Sequence, residues 1–254
     1  MTLSHLTWTR LEKVAFDNGF DVEGPRIGDW RTFTSSQTSL RIWLSGLGDS
    51  LFIVAVSRWD VFEALEGLGI PWNNSLPPGA PAARSTSDLT ALHHLVRRAF
   101  QLSRALPDEP LLVFIQKTAN MPTTTEAERL VVQRVGQDVF RSGLIDYWEG
   151  RCAITGLAVV ELLRASHIRP WADCETDAER LDIFNGFLLA PHLDAAFDRG
   201  FITIDDDGAV VIAAALDAMA REALGLQGSM RLADLTDRHR GYLIWHRERV
   251  FRGA

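Results

Sequence analysis

Cysteine and lysine are both scarce in this sequence of 254 residues. The two cysteines, Cys152 and Cys174, are too few for a four-cysteine zinc site, and we expect free thiols in a reducing compartment. The two lysines, Lys13 and Lys117, leave arginine to supply nearly all of the positive charge. Arginine suits bidentate contacts with phosphate groups, but a codon bias of the genome explains the same composition.

Long apolar runs and a secretory signal are also missing. No stretch has the length of a membrane span, and the first residues are too polar and acidic for a signal peptide. We therefore expect a cytoplasmic protein with no membrane partner. The net charge of −7 has the wrong sign for a protein that binds nucleic acid by charge alone.

Apolar periodicity predicts an α+β protein with two domains. A polar, proline-containing stretch near residue 118 separates an N-terminal mixed α/β domain, residues 1–118, from a second domain, residues 119–254. Helices are predicted over 6–20, 59–70, 87–106 and 121–150. Two strands are predicted within 39–57, a loop over 71–87, and a buried strand or the core end of a helix over 110–117.

Four short motifs follow one another in the second domain. They are C-x-I-T-G at 152–156, S-H-I-x-P-W at 166–171, N-G-x-x-L at 185–189 and F-D-x-G at 197–200. The spacing predicts short strands at 152–155 and 186–189, a short helix at 191–198, and a hairpin with an Asp-Gly turn over 200–212.

This order of motifs resembles the HNH endonucleases, also called ββα-metal nucleases. The likeness covers residues 124–213, about a third of the chain. It implies a ββα-metal domain with flanking helices and metal-dependent hydrolysis of phosphodiester bonds, with DNA as the partner. Such hydrolysis needs an activated water, stabilised phosphate charge and help for the leaving oxygen.

The resemblance assigns a role to His167 and to Asn185. His167 would be the general base, since a neutral imidazole near pH 7 can accept a proton from water. Asn185 would brace the loop that carries the base, because its amide both donates and accepts hydrogen bonds. Outside this pattern, His167 would be an ordinary loop histidine and Asn185 a turn former.

The resemblance also implies a divalent metal ion, Mg²⁺ or Mn²⁺, and no structural zinc is expected. Asp194 stands where relatives place a metal ligand, and His192 is a competing ligand. Asp198, one turn beyond Asp194, could support it. Ser166 stands where many relatives place an acidic ligand directly before the base, and its hydroxyl or a backbone carbonyl with waters would fill that place.

Four arginines are candidates for contacts with nucleic acid: Arg169, Arg199, Arg247 and Arg249. The last two belong to the final segment, residues 238–254, which holds five arginines and one glutamate interleaved with aromatic residues. This segment either grips a DNA backbone or forms the solvated face of a packed terminal helix. Cleavage of both strands would need two active sites, which makes a homodimer one expectation.

The N-terminal domain resembles no family and has no clear charge bias. We expect a recognition or regulatory role, with tryptophans at 8, 30, 43, 59 and 72 as candidates for base stacking. A partner-binding or oligomerising role fits equally well, and a regulator whose N-terminal domain binds a small ligand is a third, weaker option. The whole chain would then be a restriction or defence nuclease with an N-terminal specificity domain. The alternative is a non-catalytic module on a degenerate HNH scaffold, which Ser166 and the acidic charge favour and which His167 and Asn185 oppose.

Overall fold

The computed structural model describes residues 3–48, 50–226 and 228–253. The chain divides into two compact units, of which the first ends at Leu106 and the second begins at Pro107. In the part of the chain that is described, no helix has both the length and the apolar character needed to cross a membrane.

The first unit is an antiparallel sheet with helices. Its strands are β1 (Val22–Ile27), β2 (Trp30–Thr34), β3 (Ile42–Leu47), β4 (Leu51–Val56), β5 (Ile70–Pro71) and β6 (Ala82–Thr86), in the spatial order β1-β2-β3-β4-β6-β5. Its helices are α1 (His5–Asp17), α2 (Trp59–Ala64) and α3 (Leu89–Ala105). Strand β4 is buried along nearly its whole length, because it pairs with β3 on one side and β6 on the other.

The elements predicted for the first unit are largely confirmed. Asp88 caps α3 by accepting the amide hydrogen of Ala91 at 2.8 Å. The loop predicted over 71–87 is wrong in its second half, where β6 forms. Small and polar residues such as those of β6 have no strong strand propensity, so pairing with β4 decides their conformation.

The second unit contains six helices and two short hairpins among its described residues. The helices are α4 (Glu109–Thr118), α5 (Glu126–Tyr147), α6 (Asp177–Leu181), α7 (Pro191–Asp198), α8 (Ala218–Ala223) and α9 (Asp237–Arg249). The strands are β7 (Arg164–His167), β8 (Gly186–Leu189), β9 (Ile202–Ile204) and β10 (Val210–Ile212). Strand β7 pairs with β8 and β9 with β10, both antiparallel.

The second unit begins earlier than the predicted boundary at residue 118. The segment 110–117, for which a strand or the core end of a helix was predicted, lies in α4. This helix packs against α5. Phe114 is the buried anchor of α4. Helix α5 starts with a capping box in which Thr125 and Glu128 bond each other's backbone.

The strand predicted at 152–155 is wrong, because this segment forms a turn. The Sγ of Cys152 accepts the amide hydrogens of Thr155 at 3.4 Å and of Ala190 at 3.3 Å. Ala153 also donates its amide hydrogen to the carbonyl of Leu188 at 2.8 Å. The turn is therefore fastened to the junction between β8 and α7 through a buried thiol.

The buried His239 joins α9 to the aromatic core of the second unit. Its Nδ1 accepts the amide hydrogen of Thr236 at 3.2 Å, so Nδ1 is unprotonated. The ring lies among Tyr147, Trp148, Phe184 and Phe187, with centroid separations of 5.1–6.0 Å. Burial, with the nearby charges of Arg238 and Arg240, lowers its pKa from 6.5 to about 3.

We expect His239 to make the second unit sensitive to acid. The folded pKa is lower than the unfolded one, so the stability from the neutral ring is complete above pH 6.5 and is lost as the pH falls toward about 3. The variant His239→Gln keeps a side-chain acceptor for the cap but has no group that titrates. We expect it to reduce the slope of the unfolding free energy against pH by up to about 1.4 kcal/mol per pH unit. Urea unfolding at several pH values measures the slopes. His5→Gln, at an exposed site, is the control, and equal slopes for wild type and His239→Gln would contradict the expectation.

Candidate functional site

The predicted site residues lie on a hairpin followed by a helix. In the register of β7 with β8, Ser166 lies opposite Phe187 and His167 opposite Gly186. Helix α7 follows β8 directly and packs against β7. Because side chains alternate along a strand, neighbouring residues 166 and 167 point to opposite faces of the hairpin.

His167 is held by contacts on three sides. Its ring stacks on Phe140 of α5 with centroids 3.8 Å apart, and the edge of Trp171 meets it at 5.6 Å. Its Nε2 lies 2.9 Å from the carbonyl oxygen of Arg180. A carbonyl only accepts, so Nε2 carries the hydrogen and the lone pair of the neutral ring is on Nδ1.

Two glycines make room for this arrangement. A Cβ at Gly186 would overlap the ring of Phe140, and a Cβ at Gly136 would lie 2.6 Å from the indole of Trp171. Burial lowers the pKa of His167 to about 4, with the bond to Arg180 acting in the opposite direction. The imidazole is therefore neutral at pH 7 and can accept a proton at Nδ1.

Asn185 is fully buried and spans the loop between the two strands. Its Oδ1 accepts the amide hydrogen of Arg169 at 2.8 Å. Its Nδ2 lies within reach of the carbonyls of Arg169 and Glu179, at 3.2 and 3.1 Å, and of the Sγ of Cys174 at 3.3 Å. The amide thus ties together both ends of the segment that follows His167, including the residue before Arg180.

Ser166, Asp194 and Asp198 come together on the opposite face of the hairpin. The buried hydroxyl of Ser166 donates to Oδ1 of Asp198 at 3.2 Å. Asp194 and Asp198 are four residues apart on α7 and so share one face of the helix. The site therefore offers two carboxylates and one hydroxyl.

Both carboxylates have raised pKa values, and the charge of Asp194 contributes to the shift of Asp198. Loss of solvation, followed by the charge of Asp194, raises the pKa of Asp198 to about 6, although Asp198 stays open to solvent at the helix end. Burial also raises the pKa of Asp194, while the hydroxyl of Ser166 and the charge of Arg164 oppose this shift. Two anions held this close favour binding of a cation.

The donor set suits one class of metal. Among the described residues, no three His, Cys, Asp or Glu side chains converge on a common point. Mg²⁺ and Mn²⁺ prefer oxygen ligands, and Mg²⁺ in particular often uses one or two carboxylates with water and substrate phosphate completing its shell. The pair with Ser166 fits that chemistry. His192 is exposed, and no described hydrogen bond joins it to the pair.

The four arginines predicted to contact nucleic acid are placed differently. Arg169 pairs with Glu175 and Glu179 at 3.4 Å each, and Arg247 bonds Asp206 and the carbonyl of Ile204. Arg199 and Arg249 are exposed, and only Arg199 is next to the carboxylate pair. Contacts between these four arginines and nucleic acid stay a prediction.

Arg164 is a residue that the sequence reasoning missed. It lies two positions before Ser166 on β7, on the same face, and its charge acts on Asp194. Its side chain is exposed. The alternation of side chains along β7, which places residues 164 and 166 on one face, was the signal that could have identified it.

The N-terminal tryptophans do not form one exposed surface. Trp8 and Trp43 are buried, Trp30 and Trp72 pack against the cluster around Trp43, and Trp59 is 53% exposed. Most of the proposed stacking residues are thus part of the core of the first unit.

We expect Asp194→Asn, without added metal, to lower the pKa of Asp198 from about 6. The substitution removes a neighbouring negative charge, whereas the loss of solvation remains, so the pKa should stay above its ordinary value of 3.8. A ¹³C NMR titration of the carboxyl groups measures it, with exposed Asp138→Asn as the control. An unchanged pKa would show that the two carboxylates do not interact.

Comparison with models of protein families gives a match within the second unit. A family model of HNH endonucleases, HNH_2, matches residues 152–205, from the turn after α5 to the end of β9. No curated protein matches the chain. The match supports the predicted relationship to the HNH family and indicates an HNH endonuclease domain in this segment, and therefore nuclease activity in general.

Proposed function

We propose that the second unit is a metal-dependent endonuclease that hydrolyses DNA phosphodiester bonds. The observation that supports this best is that adjacent residues of β7 belong to the two parts of the site. His167 is neutral with its lone pair on Nδ1, and Ser166 donates to Asp198 of α7, whose pKa the charge of Asp194 helps to raise. The scissile phosphate would lie at the end of β7, where both groups reach it. The family match makes a nuclease the expected class of enzyme.

In this proposal His167 is the general base. Nδ1 takes a proton from a water molecule as the water oxygen bonds to phosphorus and the bond from phosphorus to the leaving oxygen breaks. The bond from Nε2 to the carbonyl of Arg180 keeps the ring in the required tautomer. The negative phosphate beside the ring would raise its pKa from about 4 toward its ordinary value, which strengthens the base when substrate is bound.

Asp194, Asp198 and Ser166 would hold a Mg²⁺ or Mn²⁺ ion. The ion, when bound, would neutralise charge on the phosphate and on the leaving oxygen. Asn185 would keep the segment from Arg169 to Arg180 in place and, through it, the orientation of His167. The base, the cation ligands and the brace are therefore separate residues, and each can be tested by its own substitution.

The exposed guanidinium groups of Arg164 and Arg199 would contact DNA phosphates beside the carboxylate pair. We also propose that the first unit is a specificity domain. The protein would then act as a restriction or defence nuclease. A homodimer would supply two such sites for cleavage of both strands.

We expect His167→Ala to lower plasmid cleavage with Mn²⁺ by about 10²–10⁴-fold, the usual contribution of a general base. Its fold and its DNA binding should persist. Asp194→Asn should instead weaken Mn²⁺ binding, measured by calorimetry, while His192→Gln at the competing position should not. If the wild-type protein leaves plasmid intact, the non-catalytic scaffold is favoured. If His167→Ala cleaves plasmid at the wild-type rate, His167 is not the general base.

We expect Arg164→Gln to weaken DNA binding and to reduce the slope of log affinity against log salt by about 1, as loss of one phosphate contact does. Gel shifts at several salt concentrations measure both quantities. Arg134→Gln, at an exposed position of α5, is the matched control. Equal slopes for the two variants would argue against a phosphate contact at Arg164.

A further inference from the structure

The last turn of α7 is held by a histidine that lies outside the segment matched by the family model. His246 of α9 is 1% exposed. Its Nε2 donates to the carbonyl oxygen of Phe197 at 3.1 Å, and its ring stacks on that of Phe197 with centroids 4.0 Å apart and planes 5° apart. Its Nδ1 accepts the hydroxyl of Thr203 at 3.0 Å. The ring therefore bridges α9, α7 and β9.

The residues after α9 hold the same turn from the other side. The carbonyl of His246 accepts the amide hydrogens of Val250 and Phe251, each at 2.9 Å, and Arg252 donates its amide hydrogen to the carbonyl of Gly200 at 2.9 Å. Gly200 has a φ of +71°, and a Cβ there would overlap the carbonyl oxygen of Val250. The glycine of the F-D-x-G motif thus permits a close contact with the end of α9.

These contacts lie on both sides of Asp198, at Phe197 before it and at Gly200 after it. Helix α7 has eight residues and Asp198 is the last of them, a position where a helix readily frays. Asp194 and Asp198 are like charges four residues apart on α7, a spacing that destabilises a helix, and unwinding the last turn separates them. Holding Phe197 and Gly200 keeps Asp198 one turn from Asp194 and beside Ser166.

We propose that His246 is a positioning residue for the cation site, and that α9 with residues 250–252 belongs to the catalytic unit. This inference rests on the proposed function, because it assigns the contact a role in holding Asp198 for a divalent ion. His246 touches neither substrate nor ion and acts through Phe197.

The full chain carrying His246→Leu or His246→Gln tests the role, with Mn²⁺ affinity from calorimetry as the readout. Leu removes both hydrogen bonds, and we expect it to weaken Mn²⁺ binding by about 10-fold or more, as loss of an outer partner does. Gln can still donate to Phe197 and accept from Thr203, so its affinity should stay close to wild type. Leu243→Ala removes buried packing from the same helix and is the control for a general loss of stability.

Wild-type affinity in a folded His246→Leu protein would overturn the inference and leave the proposed function in place. If that variant does not fold, a chain that ends at Arg249 removes the contacts at Gly200, and unchanged Mn²⁺ affinity in it has the same meaning. A wild-type protein that binds no Mn²⁺ would overturn both the inference and the proposed cation site. Weakened binding in His246→Leu with recovery in His246→Gln supports the role.

Discussion

The repulsion between Asp194 and Asp198 is the constraint on which the site depends. Loss of solvation, followed by the charge of Asp194, raises the pKa of Asp198 to about 6. Two carboxylates on adjacent turns repel each other, so they stay together only where a cation joins them or the surrounding structure prevents their separation. The structure prevents it from two directions. Ser166 donates to Asp198 from β7, and His246 with the end of α9 fixes the backbone on either side of Asp198.

Side chains alternate between the two faces of β7, so the adjacent residues Ser166 and His167 belong to different parts of the site. Ser166 faces α7 and the carboxylates, whereas His167 faces α5 and the segment braced by Asn185. The anionic and the basic group are therefore solvated and packed independently of one another. The low pKa of His167 follows from its burial among aromatic rings. The carboxylates are not among the causes of this shift.

The sequence was informative where local patterns decide the structure. The strand that follows Asn185, the helix with Asp194 and the capped helix α5 follow from apolar spacing and capping residues, and their prediction is confirmed. It was uninformative where distant residues decide. Strand β6 forms through pairing with β4, the turn at Cys152 through contacts with Ala190, and the support of Asp198 comes from His246, more than forty positions away. No periodicity encodes these contacts.

The positions of the arginines make a net charge of −7 compatible with the proposed phosphate contacts. Arg169 and Arg247 are neutralised by Glu175, Glu179 and Asp206, so they hold the fold together and add little field outside it. The exposed Arg164 acts on Asp194 and the exposed Arg199 on Asp198. Positive charge is thus left open beside the carboxylate pair, where a phosphate would meet it, and the acidic surface elsewhere adds only a screened long-range repulsion.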